Sequence, residues 1–398
     1  MFPERCVHHT IRSDVGIPDM RAVEDLRGGH AMSNYEEHNH SEQIWVDAFS
    51  LIVLSVLGAR LVQGFVYWGG ASRRLIYDFH DIAGVDHAVK LDMESTGFVA
   101  SKMVHALPGV LWIQEPIEWT LANPALLEAS VWLWTIAELV VGLGLILGLL
   151  TRLMALASVG LNIALMMIFG WMGSTCLDEW TMAVSGVAMS AAVLVAGGGK
   201  VSLDHAIMGP AVRTTGRSWL TWLTSGALAP AATRRLALWL AFVCAVFTVG
   251  SYQVLFGAVV SPLDPRVSFH RHALALSDVD LSADGAVALD AYVDAGPDTG
   301  AAYVIAVTLE DEAGTVVARW DGDTLANLPE SAIENAYPYV WAAHFKTEII
   351  GFSGATGARA RISLPAPQAG MVLTPGSFSM TFQAIDGTTW SATADLAR

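Results

Sequence analysis

The stretch ALLEASVWLWTIAELVVGLGLILGLLTRLMALASVGLNIALMMIFGW, Ala125–Trp171, decides the fold. It holds two apolar runs, Ala125–Leu150 and Leu153–Trp171, separated only by Thr151-Arg152. Crossing the hydrocarbon core of a bilayer takes about 20 predominantly apolar residues, and both runs qualify. The pair reads as a helical hairpin in lipid, closed by a very short turn.

Three more windows of this kind flank the hairpin: Ile44–Trp68, Trp180–Ala196 and Leu236–Val260. Trp180–Ala196 is the shortest and is rich in Ala, Gly and Ser, which suit close helix packing in lipid. Five spans explain the composition. Hydrophobic residues make up 53% of the 398 and charged residues 15%, against about 25% charge in a soluble domain; mean hydropathy is +0.46. The net charge of −16 offers no basic stripe for phosphates, which excludes a nucleic-acid partner.

Past Val260 the pattern changes. Acids gather (Asp278, Asp280, Asp284, Asp290, Asp294, Asp298, Glu310, Asp311, Glu312) as a solvated surface. Short alternating runs, Val287–Tyr292, Tyr303–Glu310, Thr315–Trp320, Arg359–Leu364 and Ser377–Ile385, stand between Gly, Pro and Asp turns. That spacing predicts a small β-sandwich. The expected fold class is an α-helical membrane bundle of about five transmembrane helices plus a C-terminal all-β, sandwich-like soluble domain. Residues 1–43, dotted with His8, His9, His30, His38 and His40, are expected to be a disordered cytoplasmic tail without a signal peptide, with Met32 an alternative start. Residues 44–260 form the membrane domain, with an outer loop at 69–123, and 261–398 the β domain.

Basic residues in short loops set orientation. Arg152 lies in the second turn, and Lys200, Arg213, Arg217, Arg234 and Arg235 lie between the fourth and fifth spans, so both connections belong inside. The link Gly173-Ser174-Thr175-Cys176-Leu177-Asp178-Glu179 carries acids and no base, so it belongs outside. The N-terminus is then cytoplasmic and the β domain lies outside a prokaryotic plasma membrane. Arg73 and Arg74, in the first loop, run against this rule, which marks them for function. That loop is too long for a connector and is expected to form amphipathic helices over the outer mouth of the bundle, anchored by Trp112 and Trp119.

Ionisable groups inside spans are costly and functional by default. Arg60, in the outer half of the first span, and Glu138, in the second, form either a packing pair or, with Gln63, a polar wall for a quinone headgroup or a proton path; Asn162 is a further polar group. Cys6, Cys176 and Cys244 show no CxxC spacing, so iron–sulfur, c-type haem and disulfide frameworks are unsupported. Cys6 and Cys244 read as inert. Cys176 differs, standing beside Asp178, Glu179 and Trp180 in an outer loop. Two acids raise a thiol pKa, so reactivity requires cations; Arg73, Arg74, Lys90 and Lys102 are on the expected outer side. Such a cluster would bind a sulfur oxyanion, and the thiolate would exchange at sulfur. Asp178 and Glu179 read equally well as caps of the fourth helix, and Lys346 as an exposed lysine.

The runs Lys90-Leu91-Asp92, Gly97, Lys102, Leu107-Pro108 and Gly170-Trp171-Met172-Gly173-Ser174-Thr175-Cys176-Leu177-Asp178-Glu179-Trp180 resemble the DoxD subunit of thiosulfate:quinone oxidoreductase, a member of the DoxX-like membrane group. Gly296-Pro297-Asp298-Thr299-Gly300-Ala301 and Ala336-Tyr337-Pro338 resemble its partner DoxA, so residues 45–390 look like a fused DoxDA chain. The resemblance implies oxidation of two thiosulfates to tetrathionate, with a membrane quinone (ubiquinone, caldariella or menaquinone type) as acceptor. No metal or haem is expected, since the sequence carries no motif for either, which fits thiol-to-quinone transfer. In this reading Cys176 is the catalytic thiol, and Asp178, Glu179 or His105 carry protons. Arg73, Arg74, Lys90, Lys102 and Trp180 hold thiosulfate, and Arg60, Gln63 and Glu138 hold the quinone. The expected partners are thiosulfate, quinone and lipid, with a homo-oligomer possible. Another quinone-linked sulfur oxidoreductase, or a non-catalytic scaffold with an inert Cys176, stands as the alternative.

Overall fold

The computed structural model describes residues 20–78, 81–82, 85–86, 89–110, 112–172, 178–207, 209, 218–257, 259–262, 273–294, 301–368 and 370–396. Among the described residues, five helices are long and apolar enough to cross a membrane: Asp47–Leu75, Pro124–Leu147, Thr151–Phe169, Glu179–Ala196 and Pro230–Phe256. The first is part of α1, Met20–Leu75, which begins well inside the stretch expected to be a disordered tail. That stretch holds good helix formers (Met20, Arg21, Ala22, Glu24, Leu26) and no proline after Pro18. The chain divides into two units, one ending at Ile52 and the other running from Val53. Within the first, Trp45 and Phe49 lie one helical turn apart with ring centroids 6.0 Å apart.

α1 also extends further forward than the sequence reading allowed. Its last turn contains Arg73 and Arg74, which therefore belong to the helix and not to the loop. The apolar pattern continues to Leu75, and cations at a helix C-terminus meet its exposed carbonyls; Arg73 Nε donates to Gly69 O at 3.0 Å. At the other end of the membrane domain, Arg234 and Arg235 likewise lie inside a helix that starts at Pro230, a residue preorganised for a first helical turn.

After α1 come a two-strand ribbon, β1 (Asp81–Ile82) and β2 (Val85–Asp86), and two short helices, α2 (Ser101–Ala106) and α3 (Gln114–Leu121). The spans α4 (Pro124–Leu147), α5 (Thr151–Phe169) and α6 (Asp178–Ala196) follow, then a short α7 (Ser218–Leu223) and the last span, α8 (Pro230–Phe256). α4 ends on Gly148, whose φ of 68° is the left-handed geometry of a helix C-cap. A Cβ there would stand 2.6 Å from Ser202 Cβ, so glycine also lets the 202 turn close against the α4–α5 corner.

The β domain is a sandwich. One sheet has the order β3-β4-β10-β7 (Leu274–Leu281, Val287–Val293, Arg359–Leu364, Ile333–Asn335). The other has the order β12-β11-β5-β9-β8 (Thr389–Leu396, Gly376–Ala384, Ala301–Glu310, Phe352–Ala355, Phe345–Thr347). β6 (Val316–Trp320) pairs with the far half of β5, and every pairing is antiparallel. Alternate residues face inward, as in β4, where Val287, Leu289, Ala291 and Val293 are buried. They meet Val307, Leu309, Phe378, Met380 and Phe382 of the second sheet in one apolar core.

Candidate functional site

The bundle has two distinct ends. One, the turn end, holds the α4–α5 corner and residues 197–204 and 224–225. Asp204, almost fully buried, accepts from Leu150 N (2.6 Å), Thr151 N (2.9 Å), Thr151 Oγ1 (2.9 Å) and Ser225 Oγ (2.6 Å). It caps the start of α5 from far along the chain. Arg152, equally buried, donates to Leu194 O (2.9 Å), Thr224 O (2.9 Å) and Val195 O (3.4 Å), taking up carbonyls at the C-terminus of α6. Arg60 donates to Gly198 O (3.3 Å) and Val201 O (3.0 Å). Asp204 lies within electrostatic reach of both guanidiniums. Arg60 therefore belongs to the turn end. The expected Arg60–Glu138 pair is absent, because α1 meets residues 198–201 at that level.

Glu138 pairs instead with Arg74, and Trp134 Nε1 donates to its other oxygen at 2.6 Å. Gly70 makes room, since a Cβ there would stand 2.8 Å from Glu138 Oε2. Glu138 is ten residues above Gly148, or about 15 Å along the helix, so this ion pair sits deep between α1 and α4. A buried pair needs further hydrogen bonds to offset desolvation, and the indole supplies one.

Between these two charged groups runs a polar file. Gln63 Nε2 donates to Ser158 Oγ (3.3 Å), which lies 2.7 Å from Ser190 Oγ and 3.2 Å from Tyr67 OH. Tyr67 donates to Ser158 O (3.0 Å), and Asn162 Nδ2 reaches Tyr67 OH (2.8 Å) and Ser158 O (2.8 Å). All five residues are buried. The sequence reading found Gln63 and Asn162 but missed Tyr67, Ser158, Ser190 and Asp204. The available signal was spacing: Arg60, Gln63, Tyr67 and Arg74 recur at three, four and seven residues, one stripe of a helix.

The opposite, domain end carries the loop and the β domain. The nearly buried Asp78 carboxylate accepts the Lys90 backbone N–H and lies 3.9 Å from Lys90 Nζ. Phe98, Val104, Leu107 and Leu121 from the loop form one buried cluster with Leu127 of α4 and with Tyr337 and Trp341 of the β domain. Tyr339 OH donates to Leu121 O (2.7 Å), Trp341 Nε1 to Met93 O (3.0 Å), and Arg359 pairs with Glu118 (3.1 Å). Gly357 approaches so closely that a Cβ would stand 2.0 Å from Val104 O. Burial, opposed by Arg359 and helped by Glu118, raises the Tyr337 phenol above its ordinary pKa of 10.0.

The expected cation cluster divides. Arg74 turns into the bundle toward Glu138, Lys90 lies beside Asp78, and Arg73 and Lys102 are exposed. His105 is half-buried on the last turn of α2. Trp180 donates to Ser251 Oγ (3.1 Å) and meets Tyr252 edge-on at 5.0 Å, which ties α6 to α8, while Glu179 is half-buried beside it. Cys176 lies outside the described residues, and so does the side chain of Asp178, the first residue of α6. Cys244 is half-buried in α8, and Lys346 is exposed and pairs with Glu348 at 3.2 Å. Among the described residues no three metal-ligating side chains come together. A groove of about 280 Å³ between α5 and α8 is lined by Trp112, Met166, Met167, Phe247, Gly250, Ser251, Val254 and Leu255. With only Ser251 polar, it suits a hydrocarbon chain better than a headgroup.

The class defined is a membrane protein whose helical bundle holds charged groups in its interior and carries a β-sandwich docked on one end. The family described as TQO small subunit DoxD matches residues 61–239, and the family described as TQO small subunit DoxA matches 269–393. The chain therefore belongs to the thiosulfate:quinone oxidoreductase subunit families, with DoxD and DoxA domains fused in one polypeptide. It is an oxidoreductase by family, and the family implies a quinone acceptor. Among solved structures, the Iho670 flagellar-like filament matches 42% of this chain and 98% of its own at 11% identity and a TM-score of 0.20, a likeness too loose to bear on the fold.

Proposed function

We propose that the protein oxidises two thiosulfates to tetrathionate and passes both electrons to a membrane quinone. The supporting observation is the presence of DoxD and DoxA domains in one chain, with the β domain packed on the loop that carries Lys90, Lys102 and His105. In this reading the domain end faces outside the plasma membrane and the turn end, with Arg152 and Lys200, faces the cytoplasm. Exposed Arg73 and Lys102, with Lys90, attract the dianion to that face. Arg74 serves the interior and leaves the thiosulfate set.

The electron balance is simple. Cys176 as a thiolate bonds to the sulfane sulfur of one thiosulfate, releasing two electrons to the quinone. A second thiosulfate attacks that sulfur, forming tetrathionate and restoring the thiolate. Asp178, Glu179 and His105 stand near in sequence or on the same face as proton carriers. For the quinone ring, the Arg74–Glu138–Trp134 group offers donors to a carbonyl oxygen and a carboxyl to exchange a proton, with Gln63 one turn below Tyr67. Arg60 is left out, since its donors go to Gly198 and Val201.

The test is thiosulfate-dependent reduction of a soluble quinone by purified protein. Turnover with thiosulfate and formation of tetrathionate are expected. Activity with sulfite alone overturns the substrate assignment, and full activity in Cys176→Ser overturns the covalent step. Glu138→Gln is expected to lower kcat by about 10²-fold or more if the carboxyl carries protons.

A further inference from the structure

The thiosulfate chemistry makes no use of the polar file inside the bundle, whose α1 members, Gln63 and Tyr67, lie on one stripe. We propose that this file, completed by internal water, delivers from the turn end the two protons that quinone reduction consumes at Glu138. The inference rests on the activity proposed above and adds a direction to it.

The contacts within the file and the buried donors toward its ends carry it. The file links α1, α5 and α6 through hydroxyl and amide groups, with contacts of 3.3, 2.7, 3.2 and 2.8 Å from Gln63 through Ser158 and Ser190 to Tyr67 and Asn162. Its hydroxyls both donate and accept, as proton transfer along a chain requires. Toward its two ends lie buried donors: Arg60 Nε and Arg74 Nε are N–H groups for which no protein atom among the described residues is an acceptor. Buried polar atoms are almost always satisfied, by ordered water where no protein group serves. In the proposed path a water at each end would join Gln63 to the Thr151–Ser225–Asp204 group on one side, and Tyr67, which lies within electrostatic reach of Glu138, to the carboxylate on the other.

The cationic mouth is compatible with this traffic. Asp204 offsets one of the two guanidiniums, and the carbonyls of Gly198, Val201, Leu194 and Thr224 each accept from an N–H group of Arg60 or Arg152. Packing alone accounts for each contact singly, yet it gives no reason for these polar groups to stand between the turn end and the buried Glu138 carboxylate.

The reaction makes the test clean. Two thiosulfates give tetrathionate and two electrons with no proton released, whereas quinone plus two electrons takes up two protons. The compartment that loses protons therefore reports the route. Protein is placed in vesicles with a pH dye in the lumen and another outside, with a quinone analogue in the bilayer and thiosulfate, a non-permeant dianion, outside only. The expected result is alkalinisation of the lumen, with two protons lost there per quinone reduced. Quinone reduction with protons drawn only from the outer medium overturns the path and leaves the activity standing. No quinone reduction in vesicles or in detergent overturns both. Tyr67→Phe and Ser158→Ala are expected to lower kcat at least about ten-fold with KM for thiosulfate unchanged, and Ser158→Thr to restore it. Wild-type kcat in a Ser158→Ala protein of normal melting temperature overturns the path without relying on the harsher variant.

Discussion

The bundle and the β-sandwich are packed inside out with respect to each other. The bundle buries Arg60, Gln63, Glu138, Arg152, Ser158, Asn162, Ser190 and Asp204 while showing Leu133, Leu238, Trp239 and Phe242 on its surface. The sandwich buries Leu289, Val307, Leu309, Met380 and Phe382 and sets Arg361 in a surface pair with Asp280 and Asp290. Each is the arrangement its solvent demands. In lipid an apolar surface costs nothing and interior polar groups must satisfy one another; in water apolar burial drives the fold. The polar interior of the bundle is therefore where function is to be sought, whereas in the sandwich function is left to its surface and its docking edge.

The comparison breaks most sharply at Asp204. Removing it in Asp204→Ala uncaps α5 and leaves two buried guanidiniums without their countercharge, which is expected to cost about 3–5 kcal/mol. Thermal unfolding in detergent reads this. An effect under about 1 kcal/mol would mean the turn end is wet and its charges solvated.

Truncation of apolar side chains sharpens the same contrast from the other side. Leu289→Ala in the sandwich core is expected to lose about 2–5 kcal/mol. Phe242→Ala, on the lipid-facing side of α8 with 67% exposure, is expected to lose no more than about 0.5 kcal/mol. Equal losses would show that the outer face of α8 is covered, as a homo-oligomer would require.

Much of this layout was legible in the sequence, for reasons that differ between regions. All five spans were readable because lipid imposes a length and an apolar composition on each. The runs Val287–Tyr292 and Arg359–Leu364 were readable because each alternates strictly over a half-buried face. β8, β9 and β7 were not, being three or four residues long and defined by pairing rather than pattern. The interior file escaped because a Ser or a Tyr in an apolar helix carries no mark of which way it faces. Arg60 and Glu138 were found as costly charges, yet paired wrongly: α1 runs past α4 so that Arg74, assigned to the loop, arrives at Glu138. Arg74 leaves the expected cation cluster for the same reason.

The junction of the two regions is where their solvents meet, and there the expected effects are smallest. Tyr339→Phe removes the bond to Leu121 O and is expected to weaken docking by about 1 kcal/mol, read as faster proteolytic release of the β domain. The same edge is sensitive to alkali. Burial raises the pKa of Tyr337, so the docked state holds its phenolic proton more tightly than the undocked state does. Docking is then complete below the ordinary phenol value of 10.0 and weakens as pH rises above it, since the undocked chain releases the proton first. Proteolytic release measured across that range in wild type and in Tyr337→Phe separates this effect from general alkaline unfolding. The variant is expected to lose the part of the pH dependence that belongs to Tyr337 while keeping the apolar cluster it shares with Trp341. An unchanged profile would assign the alkaline step to Tyr292, whose buried phenol is raised further still and whose ring lies under Arg359.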